Sequence, residues 1–238
     1  MAGIREAQKR RDSSLSLLLV ASLGVIVLAA SLHFSGSAAF RPYFGDLNPI
    51  LVATATTLLG VVGLVLLEKD GWFRVRGSKD SHSGLGLAAG LATLLAIPAV
   101  VLDLVVVFPA DTNVVWPQAF LFYPAIGYVV EVAFHVLPLA VILLLLGRLA
   151  GGKHRQTLMW ICIVLVSLLE PAVQTLLGPS DGFPRLATAY VALHVFVFNV
   201  CQLWVFKRHD FVSMLALRLV YYAWWHVLWG YARLQLLF

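Results

Sequence analysis

Charge is what this chain lacks most. Only 12% of its 238 residues are Asp, Glu, Lys or Arg, against 61% hydrophobic and a mean hydropathy of +0.89, which excludes a soluble globule of ordinary composition. It has no ~10-residue segment alternating polar and apolar, so a transmembrane barrel is excluded as well. Cysteine is nearly absent. Cys162 and Cys201 both fall within apolar stretches and no CxxC occurs, so they read as small apolar fillers rather than a disulfide or a thiolate metal site. The five lysines, Lys9, Lys69, Lys79, Lys153 and Lys207, lie outside those stretches, which leaves no amine for a retinal Schiff base. No HExxH zinc motif is present. No serine inside an apolar stretch stands in a nucleophile context facing a histidine.

What the chain does have is repeated apolar stretches of about 20 residues, the length a helix needs to cross roughly 30 Å of hydrocarbon. The expected fold is therefore all-α: a polytopic membrane bundle of seven helices forming a single transmembrane domain over residues 1–238. The expected spans are Leu15 to Phe34, Pro49 to Leu67, Leu85 to Phe108, Ala119 to Leu146, Leu158 to Leu177, Ala187 to Phe206 and Val212 to Leu234. None of the polar connections is long enough for a separate soluble domain. Gly86 and Gly90 form a small-xxx-small pattern that would let helices approach closely.

Lys and Arg collect in alternate connections, as the positive-inside rule requires of a correct segment count. One side holds Arg5, Lys9, Arg10 and Arg11, then Lys69, Arg74, Arg76 and Lys79, then Arg148, Lys153 and Arg155, then Lys207 and Arg208. The other holds only Arg41, Arg185 and Arg233, which leaves Arg218 inside the seventh span. The N-terminus is thus expected in the cytoplasm and the C-terminus outside, in a prokaryotic cytoplasmic membrane. The first apolar run is as long as a spanning helix, so it reads as a span and not a cleaved signal peptide. The pI of 9.4 reflects cytoplasmic loops facing anionic headgroups, so the expected partner is the lipid bilayer and not nucleic acid.

Ionisable side chains inside the spans are the informative residues, because each charged form costs on the order of 2.5 kcal/mol or more at a helix centre. They are unevenly spread. Residues 1–108 read as scaffold, with Asp103 near the outer end of the third span, while residues 119–238 read as a four-helix polar core. In the fourth span Glu131 and His135 are four apart and share a face, with Tyr128 on the same side. The fifth carries Ser167, Glu170 and Gln174 at helical spacing, with Pro171 freeing a backbone carbonyl and bending the helix beside the acid. The sixth carries His194, Asn199 and Gln202. The seventh carries Arg218, Tyr222 and His226 in one stripe, then Gly230. Single Ser, Asn or Gln residues in such helices more often glue helices together than catalyse. The Glu, His and Arg set is too costly to be explained by packing alone.

A Glu in one span, a His in a later span and a second His near the C-terminus resemble the CAAX-protease and bacteriocin-processing (CPBP) family of intramembrane endopeptidases. The likeness runs from Glu131 onward, about half the chain. The family's Glu-Glu pair followed by Arg is here the single Glu131. Its Phe-xxx-His is Tyr190-xxx-His194, and its His-xxx-Asn is His226-xxx-Gly230, with Asn199 in another span. The resemblance implies a glutamate-dependent hydrolase acting on a peptide or lipid-modified substrate. Glu131 would activate water, His194 would orient it or share its proton, and His226 or Asn199 would stabilise the oxyanion.

The residues themselves leave other classes open. Glu131, His135, Glu170, His194 and His226 include the oxygen and imidazole donors of a divalent-metal site, with His135 and Glu170 the additional ligands; paired histidines on different helices would suit haem. A proton-coupled transporter would use the same Glu, His and Arg residues as a relay. An accessory membrane subunit would use them against a partner.

Overall fold

The structure, a computed structural model, describes residues 2–77, 81–147, 151–177 and 185–238. Lys79 and Arg148 lie outside the described residues, as do the side chains of Arg5, Lys9, Arg10, Arg11 and Lys153 and the connection over residues 178–184. Seven helices are long and apolar enough to cross a membrane: α1 (Asp12–Phe34), α2 (Pro49–Lys69), α3 (Ser83–Val106), α4 (Ala119–Leu146), α5 (His154–Leu176), α6 (Arg185–Arg208) and α7 (Phe211–Leu236). They match the expected spans to within about a turn. No strand occurs among the described residues, and the protein is an all-α integral membrane bundle. Leu19, Val20, Leu23 and Val27 on α1 and Leu94, Ile97, Val101 and Leu104 on α3 stand exposed, an apolar surface suited to lipid rather than water.

Helix α1 packs on α2 and α4, α5 packs on α6, and α7 runs against α3, α4 and α6. Small residues set how closely these pairs approach, but not the pair expected from sequence. Gly86 and Gly90 are exposed, with open space where a Cβ would stand, so they face lipid. On α3 the residues buried against α7 are instead Ala88, Ala92, Ala96 and Ala99, which recur at helical spacing and pack with Leu217, Tyr221 and Trp225. Among the described residues the tightest glycine contact between spanning helices is on α3, where a Cβ at Gly84 would fall 2.5 Å from Ser213 Oγ of α7; on α2 a Cβ at Gly60 would fall 2.7 Å from the Val132 side chain of α4.

Helix ends follow their capping chemistry. Asn48 caps α2, its side chain accepting from Ile50 N at 2.9 Å, with Pro49 in the first turn. At α3's end Val107 takes φ 55°, a strained left-handed conformation for a β-branched residue. Asp103 holds the chain there by accepting from Phe108 N at 2.8 Å. Asp210 caps α7 through Ser213 N at 2.7 Å, and its other oxygen accepts from Gly77 N at 2.6 Å, tying the α6–α7 turn to the α2–α3 connection. Asp210→Ala removes both bonds and is expected to cost about 1–2 kcal/mol, measurable as a lowered thermal unfolding midpoint in detergent.

The described basic residues of one end gather as the charge pattern requires. Arg155 lies over Trp72 with its Cζ 3.8 Å from the ring centroid and also donates to the Asp70 carbonyl. Arg233, counted from sequence at the opposite end, is fully buried and paired with Asp103, Nε to Oδ2 at 2.6 Å. Helix α3 thus contributes Asp103 to one buried ion pair and a wall to the cavity described next.

Candidate functional site

Three local departures from regular helix place the polar side chains. In α4 the segment Glu131–Val136 is a π-helical turn. Pro138 follows it and has no N–H to give to the Phe134 carbonyl, so the wider turn is a local answer to the proline. It carries Glu131 and His135 on one face, with His135 Nδ1 2.7 Å from Glu131 Oε2. In α5 the helix breaks at Leu168, between Gly151–Ser167 and Leu169–Leu177. Pro171 leaves the Ser167 carbonyl without its usual helical donor; Asn199 Nδ2 of α6 supplies one at 3.3 Å. The bend expected beside Glu170 is there, and its freed carbonyl has an identified partner. In α7 a second π-helical turn spans Ala223–Trp229.

Arg218 is the hub. It is 1% exposed, and its guanidinium meets two carboxylates from different helices. Nε donates to Glu131 Oε1 at 2.5 Å, while Nη1 and Nη2 donate to the two oxygens of Glu170 at 3.1 and 2.9 Å. Nη1 also reaches Tyr222 OH at 3.1 Å, and Nη2 reaches Gln202 Oε1 at 2.9 Å and Asn199 Oδ1 at 3.4 Å. Gln202 donates to Glu131 Oε1 as well. Four helices, α4 to α7, are thus joined through one cation. Charges taken this far out of water persist only when paired and fully hydrogen-bonded, and this cluster meets that condition except at His135 Nε2, which is buried without a partner.

Beside the hub lies a cavity of about 260 Å³, bounded by α3, α5, α6 and α7 and reaching Thr112 in the α3–α4 connection. Glu170, Arg218, His194, His226 and the rings of Tyr190, Tyr221 and Trp225 line it. His194 Nε2 is 3.1 Å from Tyr221 OH. His226 stacks on Tyr123 with centroids 4.6 Å apart and pairs its Nδ1 with Asn113 Oδ1 at 2.6 Å.

The expected catalytic set therefore divides. His194 and His226 share the cavity. Glu131 is not among its lining residues, is fully buried, and has its oxygens taken by Arg218, Gln202 and His135. Asn199 is turned toward Ser167 and Arg218. The expected metal set of Glu131, His135, Glu170, His194 and His226 also needs correction: among the described residues no three His, Cys, Asp or Glu are grouped to hold an ion. The physical reason is Arg218, which bridges the two carboxylates and supplies their positive charge. Its central role was missed from sequence, although its i, i+4 spacing to Tyr222 was the available signal.

A second buried pair joins α3 to α7, two of the helices that bound the cavity. Asp103 accepts from Arg233 through both oxygens, at 2.6 and 2.9 Å, and from Trp229 Nε1 at 2.6 Å; Arg233 also donates to the carbonyls of Phe108 and Pro109. This arrangement anchors the chain leading to Thr112 onto α7. No protein family, characterised protein or solved structure matches the chain.

Proposed function

We propose that this protein is a membrane-embedded binding protein, a receptor or carrier, whose site is the cavity between α3, α5, α6 and α7. The observation that carries this reading is the cavity itself. It is a concave space lined mainly by apolar and aromatic side chains with a few polar groups among them, the form that small-molecule sites take. The charge pattern supports an orientation as well. Arg74, Arg76, Arg155, Lys207 and Arg208 belong to the end opposite Thr112, so the cavity faces the extracytoplasmic side and the N-terminus is cytoplasmic.

The test is ligand-dependent stabilisation of purified protein against a panel of small polar molecules. A true ligand at about one hundred times its Kd adds about 2.7 kcal/mol. Val191→Trp adds bulk to the cavity wall without touching the charge cluster and should abolish the shift. A shift that survives it would place the ligand elsewhere.

Hydrolysis, the activity implied by the CPBP resemblance, has one observation in its favour: Glu170 and His194 line the same cavity. On that reading Glu170, not Glu131, is the base, and Glu131 positions Arg218. Glu170→Gln should then abolish cleavage of a lipid-modified peptide, and cleavage that persists in that variant discards the reading.

A further inference from the structure

An arginine on a cavity wall ordinarily signals an anionic ligand. Here it does not. Arg218 has five N–H donors: Nε is on Glu131, the two of Nη1 are on Glu170 and Tyr222, and the two of Nη2 are on Glu170 and Gln202, with Asn199 sharing the last. No N–H is left for a ligand carboxylate or phosphate. Glu170 differs. Its Oε1 accepts from Arg218 and, at 3.3 Å, from Gln174, while among the described residues its Oε2 accepts from Arg218 alone. A carboxylate oxygen has room for two bonds, so Glu170 offers the cavity an acceptor.

Charge points the same way. Two carboxylates, Glu131 and Glu170, share the one guanidinium of Arg218, and of the two it is Glu170 that lines the cavity. A cation taken into the low-dielectric interior needs an acceptor of opposite charge beside it, and Glu170 is placed to be one. Its walls suit one. Arg218 already covers the Phe198 and Tyr222 rings, at 5.2 and 5.7 Å, while Tyr190, Tyr221 and Trp225 add aromatic surface on which no cation sits among the described residues, and aromatic faces attract cations.

Resting on the cavity being a ligand site, we infer that it selects a small organic cation: an ammonium group whose N–H meets Glu170 Oε2 and whose carbon body lies among Tyr190, Tyr221 and Trp225. The volume of about 260 Å³, just below the ~300 Å³ at which ordinary ligand cavities begin, sets a compact ligand.

The test compares three probes of one shape and different charge, pentylammonium, pentanol and hexanoate, titrated into the purified full chain by calorimetry. Pentylammonium should bind at least about tenfold tighter than pentanol, with hexanoate weakest. Trp225→Leu, which leaves the Arg218 cluster intact, should weaken pentylammonium more than pentanol. Equal binding of pentylammonium and pentanol, or tightest binding by hexanoate, overturns the cation assignment while leaving a binding cavity. Absence of binding by all three, with Val191→Trp indistinguishable from the parent protein, removes the cavity reading and this inference together.

Discussion

Arg218→Met is expected to destabilise the folded protein by about 3–5 kcal/mol, the range found when one partner of a buried ion pair is removed. The side chain's volume is kept, so the loss is electrostatic: Glu131 and Glu170 lose their shared cation, and Gln202, Asn199 and Tyr222 lose the N–H groups they meet. The purified variant should unfold at a much lower temperature or fail to remain monodisperse. Neutralising the acids in the same chain, Glu131→Gln with Glu170→Gln, should recover most of that loss, because replacing a whole buried pair is often near neutral where breaking it is not. Packing loss alone would not be rescued in this way, so a triple variant no better than the single one would sink the electrostatic account.

Arg233→Met is the second large effect, about 3 kcal/mol or more by the same reasoning. It leaves Asp103 with only Trp229 and the Phe108 amide, and leaves the Phe108 and Pro109 carbonyls without their guanidinium donor. The loss should be partly restored by Asp103→Asn. Arg218 and Arg233 are fifteen residues apart on α7, about 22 Å along a helix, so their losses should add in the double variant to within about 0.5 kcal/mol. A clearly smaller sum, measured from unfolding midpoints, would mean that the two clusters are coupled.

What could be read from sequence follows the reach of the relevant physics. The spans could be read because hydropathy and length are local. The Glu131–His135 contact and the Arg218–Tyr222 contact could also be read, since both are four-residue spacings on one helix. Pro171's effect on α5 could be anticipated because the missing N–H belongs to proline itself. Contacts between helices were not accessible. Glu131 and Arg218 are 87 residues apart, and nothing in either helix alone states how it is rotated against the other. This is why Glu131 was expected beside His194 and His226 and instead faces Arg218, and why Asp103 and Arg233 were not recognised as partners. Gly86 and Gly90 show the same limit: a small-residue pattern marks a possible approach, but rotation about the axis turned the Ala88 to Ala99 stripe inward instead. The π-helical turn in α7 has no proline to announce it.

The two arginines buried among the described residues sit on α7, while the acids they pair with, Asp103, Glu131 and Glu170, are on α3, α4 and α5. During synthesis the chain emerges N-terminus first, so for a time three carboxylates occupy membrane helices whose counter-charges have not yet been made. Until α7 arrives, those helices hold unmatched acids that hydrocarbon disfavours, and a chain halted before residue 211 never resolves them. Arrival of the seventh helix is thus the step at which the acids of three earlier helices gain their counter-charges.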